Sequence, residues 1–205
     1  MAFATTSQAA PNCADWPDAG KPRIELSTTI AEPVIRRGLP DVKPETDASA
    51  PRQVGLTTAK RNASYQFTIA FQRRDGRPGV CFRLNDLAVR LALSEIDVYI
   101  AARYRPGSCP YRVALAHERK HVAIHKRLFR DRATRLGRDL RRQARGPARW
   151  AETEAAAREI LTSELGRTID RHLKAFKLAL ARANAPLDTA KNYDRESRRC
   201  PAKDW

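Results

Sequence analysis

The chain is short of acid. Its 205 residues carry 23 Asp and Glu against 39 Lys and Arg, which gives a net charge of +16 and a pI near 10.4. That imbalance excludes polycationic partners and attracts anionic surfaces such as nucleic acid, acidic lipid or anionic polymers. No run of about 18 apolar residues occurs, so no membrane-crossing helix is expected. The cysteines include no C-x-x-C pair, which excludes finger-type zinc and thioredoxin spacing. An even set, Cys13, Cys81, Cys109 and Cys200, widely spaced, suits two disulfides and an oxidising compartment. The opening MAFATTSQAAPNCADWPDAG lacks the basic and apolar regions of a leader. Weighed together, these features predict a periplasmic or secreted protein with no signal peptide visible in these residues. A cytoplasmic protein with reduced thiols is the alternative. No internal repeat is found.

What the chain does have is a hydrophobic fraction of 42%, enough for a core in one domain of this length. Residues 1–60, rich in Pro, Ala, Ser and Thr, read as an N-terminal arm. The arm holds one or two strands in RIELSTTIAEPVIRR and a linker-like loop, PDVKPETDASAPRQ. Residues 61–205 read as a single domain. YQFTIAFQ alternates as a strand does. After the GRPGV turn, VCFRLNDLAVRLALSEIDVYIAARY suggests two or three more strands, with Val89, Leu91 and Leu93 on one face and Val98 and Ile100 on another. Helical spacing then takes over. Pro110 fits the first turn of a helix capped by Ser108 or Cys109, Gly137 is placed to interrupt it, and Gly146-Pro147 to end it. A second helical block runs to Pro186, and the tail LDTAKNYDRESRRCPAKDW reads as irregular. The predicted class is α+β: a small antiparallel sheet, then one helix, then a second long helical block.

Three of the four histidines crowd the first helix, in AHERKHVAIH. His117-Glu118-Arg119-Lys120-His121 is an H-E-x-x-H sequence. Residues four apart lie one above the other on a helix, so two imidazoles reach a single zinc ion. Zinc acidifies a water that it binds, and the neighbouring Glu118 is placed to take the proton as general base. Val113, Ile124 and Leu128 mark the histidine face as the inward one. His125 extends the series to i+8, but two turns separate it from His117 by roughly 12 Å. It also lies about 80° round the helix. His125 is therefore read as a surface histidine or one that supports the ligands, and the third ligand is sought downstream. Arg119 and Lys120 are unusual, because charged residues seldom fill those two places.

The tail holds a second motif, Tyr193-Asp194-Arg195-Glu196-Ser197. Taken with the helix motif upstream, it resembles a bacterial family described as predicted secreted zinc-dependent proteases, zincin-like in fold. Members of that family join H-E-x-x-H to a C-terminal Tyr-Asp-Arg-Glu-Thr-x-His-Gly signature. The resemblance rests on two short motifs and their order. It implies a zinc metallopeptidase acting on peptide or protein substrates, with Tyr193 as a candidate for stabilising the transition state or supporting a ligand. Arg199 and Cys200 stand where the family has His-Gly. If that histidine binds metal, its local substitutes here are Asp194, Glu196 or Cys200, and Asp194 is the first choice. The altered tail also admits a zincin that has lost hydrolysis.

Other candidates for the third ligand are Glu152, Glu154, Glu159 and His172. Glutamates on an arginine-rich helix commonly serve as i,i+4 ion-pair partners, a spacing that Glu154 and Arg158 have. His172 reads either as a buried, hydrogen-bonded histidine or as a group stabilising an oxyanion. Between Lys126 and Arg149 the chain carries ten cationic residues and two aspartates. This segment has an apolar stripe, little aromatic interleaving and no helix-turn-helix spacing. It reads as a solvated basic face with nonspecific attraction to anionic surfaces, and no specific nucleic-acid site is expected. The competing class is an arginine-rich binding protein for nucleic acid or another anionic surface. For the disulfides, Cys81 and Cys109 bracket the last strands, so the expected pairs are Cys81–Cys109 and Cys13–Cys200.

Overall fold

The fold is taken from a computed structural model, which describes Cys13, Trp16 and residues 20–39, 54–73, 76 and 78–205. The linker-like loop at 40–53 lies outside the described residues, as does most of the segment before residue 20. The element order is β1 (Arg23–Ile30), β2 (Val34–Arg37), β3 (Gly55–Gln72), β4 (Val80–Ile100), α1 (Cys109–Ala144), β5 (Arg149–Ala151), α2 (Glu154–Asn184) and α3 (Ala190–Ser197). A short 3-10 turn follows at Ala202–Asp204. The class is α+β, and the two strands expected in RIELSTTIAEPVIRR form as β1 and β2.

The five strands make one sheet in which β4 pairs with all the others. It is not the antiparallel meander expected: β2 runs parallel to β4, with Val34 opposite Asp97 and Arg37 opposite Ile100. A short strand from the N-terminal arm lies along β4, and this pairing leaves no mark in local alternation.

The segment expected to give two or three strands is one strand of 21 residues. Its burial explains the misreading. Val89, Leu91 and Leu93 are buried at odd positions, and Ile96, Val98 and Ile100 at even ones. Between them Glu95 has φ +49°. One residue in the left-handed region inserts a bulge and shifts the alternation by one. The two apparent faces are therefore a single buried face.

By its contacts the chain forms two compact units. The first comprises Met1–Leu26, Tyr65–Val89 and Leu136–Asp170. Here β5 runs antiparallel to the start of β4, with Cys81 opposite Trp150. Arg149 forks onto Glu164 at 2.6 and 2.9 Å. Gly79 has φ +85°, and a Cβ there would lie 2.4 Å from the Trp150 Nε1, so only glycine fits. Phe82, Leu87, Leu136, Leu140 and Leu165 form the core, each contributing about 1.5–3 kcal/mol by burial. Gly137 does not interrupt α1; it is buried inside a continuous helix.

The second unit comprises Ser27–Ser64, Arg90–Arg135 and Arg171–Trp205. Ser108 Oγ accepts from the Tyr111 N–H at 3.4 Å and starts α1 as the sequence suggests. Thr189 caps α3 in the same way, accepting from the Asn192 N–H at 3.2 Å. The tail, expected to be irregular, is therefore helical over Ala190–Ser197.

Two disulfides form, but in the other pairing: Cys13–Cys81 in the first unit and Cys109–Cys200 in the second. Cys81 is the second residue of β4 and belongs to the first unit, whereas Cys109 opens α1 in the second, and each is bridged to a cysteine of its own unit.

Candidate metal centre

The site lies in the second unit and starts from α1. His117, Glu118 and His121 are 1%, 2% and 7% exposed, and their ligand atoms lie within 4.8 Å of one another, a group that could hold a metal ion. The helical i,i+4 spacing brings the two rings edge to face at 4.8 Å between centroids.

What aims them is supplied by the last turn of α2 and by α3. His117 Nδ1 hydrogen-bonds Glu196 Oε2 at 2.8 Å. His121 Nδ1 hydrogen-bonds Asn184 Oδ1 at 3.1 Å. Both partners accept, so each neutral imidazole carries its proton on Nδ1 and presents an Nε2 lone pair. These two Nε2 atoms face each other at 3.0 Å. The Asp188 carboxylate adds Oδ1, at 3.3 Å from His117 Nε2 and 3.0 Å from His121 Nε2. In the neutral rings, two Nε2 lone pairs and one carboxylate oxygen thus converge on one point. Donors about 2.0–2.1 Å from a tetrahedral zinc stand about 3.3 Å apart, so the set fits such an ion closely.

The charges agree with that geometry. Burial works against protonating His117 and His121. The hydrogen bonds of Asp188 to both, of Glu196 to His117 and of Asn184 to His121 outweigh it, and both pKa values are raised. Burial also raises the Asp188 carboxyl, but its two histidine partners win and hold it well below the ordinary range. The pocket draws positive charge from any source, and without metal a proton serves.

Glu118 stands beside this centre with a different environment. Burial pushes its carboxyl upward, against the opposing pull of Thr57 and the two histidines. Thr57, on β3, donates its hydroxyl to Glu118 Oε2 at 2.7 Å. Across from it is Gly55, where a Cβ would come within 2.6 Å of Glu118 Oε1. The start of β3 thus both leaves room for the carboxylate and holds it.

The unusual cation inside the motif has a structural reason. Lys120 pairs with Glu196, whose Oε2 holds His117. Burial raises the Glu196 carboxyl, and its bonds to Lys120 and His117 lower it further than burial raises it. Arg119 points to solvent. Tyr193 stacks on the His117 ring at 4.9 Å and donates its hydroxyl to Asp188 Oδ1 at 3.3 Å.

Asp194, the expected third ligand, makes no hydrogen bond or ion pair to either histidine among the described residues; the carboxylate that lies within 3.3 Å of both rings is Asp188. Asp188 lies five positions before Tyr193, and no spacing rule marks it. Cys200 is tied to Cys109, and Glu196 touches the far nitrogen of His117. Glu154 pairs with Arg73 at 2.8 Å, and Glu152 and Glu159 are exposed. His172 is buried on α2 and does not belong to the ligand group.

His125, read as a surface or supporting histidine, is in the core at 7% exposure. It packs edge-on to Phe176 at 6.4 Å, and its Nδ1 has no hydrogen-bond partner among the described residues. Burial, with smaller contributions from Arg61 and His121, lowers its pKa to about 4. It remains neutral beside the site. On the other side of α1, Arg127, Arg130, Arg135, Arg138, Arg141 and Arg142 are exposed, as a solvated basic face requires. No described helix is long and apolar enough to cross a membrane. No protein-family model, curated protein or solved structure matches the chain.

Proposed function

We propose that the protein is a zinc-dependent hydrolase, a zincin-like peptidase, with His117, His121 and Asp188 as protein ligands and Glu118 as general base. The observation that carries this reading is the convergence of two imidazole nitrogens and a carboxylate oxygen, 3.0–3.3 Å apart, beside a second, buried carboxylate. Two histidines with one carboxylate form a common catalytic zinc set. The ion, when bound, supplies Lewis acidity at a carbonyl and makes a water easier to deprotonate.

The chain's own groups do the rest. Glu118, raised by burial and steadied by Thr57, takes a proton from the attacking water. As the water oxygen bonds to the carbonyl carbon and the C–N bond breaks, Glu118 passes that proton to the leaving amine nitrogen. Tyr193, next to Asp188, can donate its hydroxyl to the oxygen that gains charge. Glu196 and Asn184 keep the two rings in the tautomer that binding requires. The resemblance of the two motifs to secreted zinc proteases supports a peptide substrate, and two disulfides suit a periplasmic or secreted location.

The test pairs zinc content with hydrolysis of a fluorescent unfolded protein by the wild type and Glu118→Gln. One zinc in each, with cleavage by the wild type alone, is the expected result. Zinc bound by both with cleavage by neither would leave a metal-binding zincin without hydrolysis. Cleavage surviving in Glu118→Gln would remove the assigned base.

A further inference from the structure

Next to the metal centre lies a cavity of about 710 Å³, within the roughly 300–1,000 Å³ of ordinary ligand pockets. His117 is one of its walls, so the ring that offers Nε2 to the ion also bounds this space. Val113 and Ala114 line it from the preceding turn of α1. Tyr104 and Trp205 line the opposite part, packed edge to face at 5.6 Å.

The polar groups around it are mostly engaged. Trp205 Nε1 donates to Ser197 O at 2.9 Å. The Arg103 guanidinium lies over the Tyr104 ring at 4.6 Å. Glu196 is held by His117 and Lys120. Asp194 and Arg198 also line it and are exposed to solvent, so what faces the space is chiefly ring and aliphatic surface, and its Cys200 is tied to Cys109.

Resting on the hydrolase reading above, we propose that this cavity is the subsite that selects the substrate. It receives a large apolar side chain, aromatic or branched aliphatic, from the residue next to the scissile peptide bond. Because His117 bounds both spaces, a side chain anchored there keeps its own backbone carbonyl beside the ligand atoms. The apolar interior rewards burial of hydrocarbon and penalises a charge or an empty space.

The experiment uses two peptides, identical except for Phe or Gly at that residue, and the full zinc-loaded protein. Cleavage by the wild type is measured, along with binding to Glu118→Gln by fluorescence polarisation. Two variants, Val113→Phe and Ala202→Trp, fill the cavity from opposite sides; Ala202 also lines it and is remote from α1 in sequence. The Phe peptide is expected to bind and react about 10- to 100-fold better. Both filled variants should bring that ratio below about threefold while retaining zinc. Equal handling of the two peptides, or a preference that survives both variants, would overturn the subsite even if cleavage continues. A preference in binding without any cleavage by the wild type would sink the hydrolase reading and leave the subsite standing.

Discussion

Replacing Asp188 by alanine should cost most of the zinc affinity and little of the fold. The side chain is 45% exposed, and its described partners are His117, His121 and Tyr193, so the substitution opens no core cavity. A structural zinc site of four ligands is worth about 10–16 kcal/mol, or about 2.5–4 kcal/mol per ligand. At about 1.4 kcal/mol per decade, losing one ligand weakens binding roughly 10²- to 10³-fold. A compensating effect sets in. Asp188 also stabilises protonated His117 and His121, so its removal lowers both pKa values and eases competition from protons. The expected loss near neutral pH is therefore at the lower end, about 100-fold. Competition between apoprotein and a chromogenic chelator measures it, with circular dichroism as the check on folding and Asp194→Ala as the control. Wild-type affinity in Asp188→Ala, or an equal loss in Asp194→Ala, would refute the assignment.

Glu196→Leu should lower zinc affinity about 10- to 100-fold through disorientation of His117, with Glu196→Gln milder because its oxygen still accepts from Nδ1; equilibrium dialysis would show it. Gly55→Ala should leave zinc content unchanged, since the clash is with a flexible carboxylate, while displacing Glu118 and slowing turnover about tenfold or more. Steady-state kinetics beside metal analysis would separate the two effects. His125 gives a pH dependence of known sign. Its folded pKa of about 4 lies below the unfolded 6.5, so between these values the unfolded chain takes up a proton that the folded one refuses. Its contribution is complete above pH 6.5 and fades as pH falls toward 4, by up to about 3 kcal/mol. Denaturant unfolding of the apoprotein at pH 7 and 4.5 should show a smaller loss for His125→Leu than for the wild type; equal losses would contradict the buried neutral histidine.

The helix that carries the metal motif was legible because its determinants are local. The i,i+4 spacing of His117 and His121, the apolar residues on their face and the Ser108 cap all act within a few turns of chain. The same locality explains the errors. Alternation around Glu95 suggested separate strands, because one left-handed residue changes phase without breaking the strand. Closeness in sequence favours Cys81–Cys109, whereas each of the two bonds with a cysteine of its own unit, 68 and 91 residues away.

Sequence by itself determined the α+β class, the inward histidines and the presence of two disulfides. Tertiary structure alone decided which further side chains surround those histidines. Asp188 and Asn184 reach the histidines because the chain turns at the end of α2, and Glu196 reaches them because α3 follows that turn. A carboxylate in an irregular segment has no periodicity to betray which way it faces. Its role is set by which atoms the fold brings within 3.3 Å of an imidazole, and spacing along the chain does not encode that.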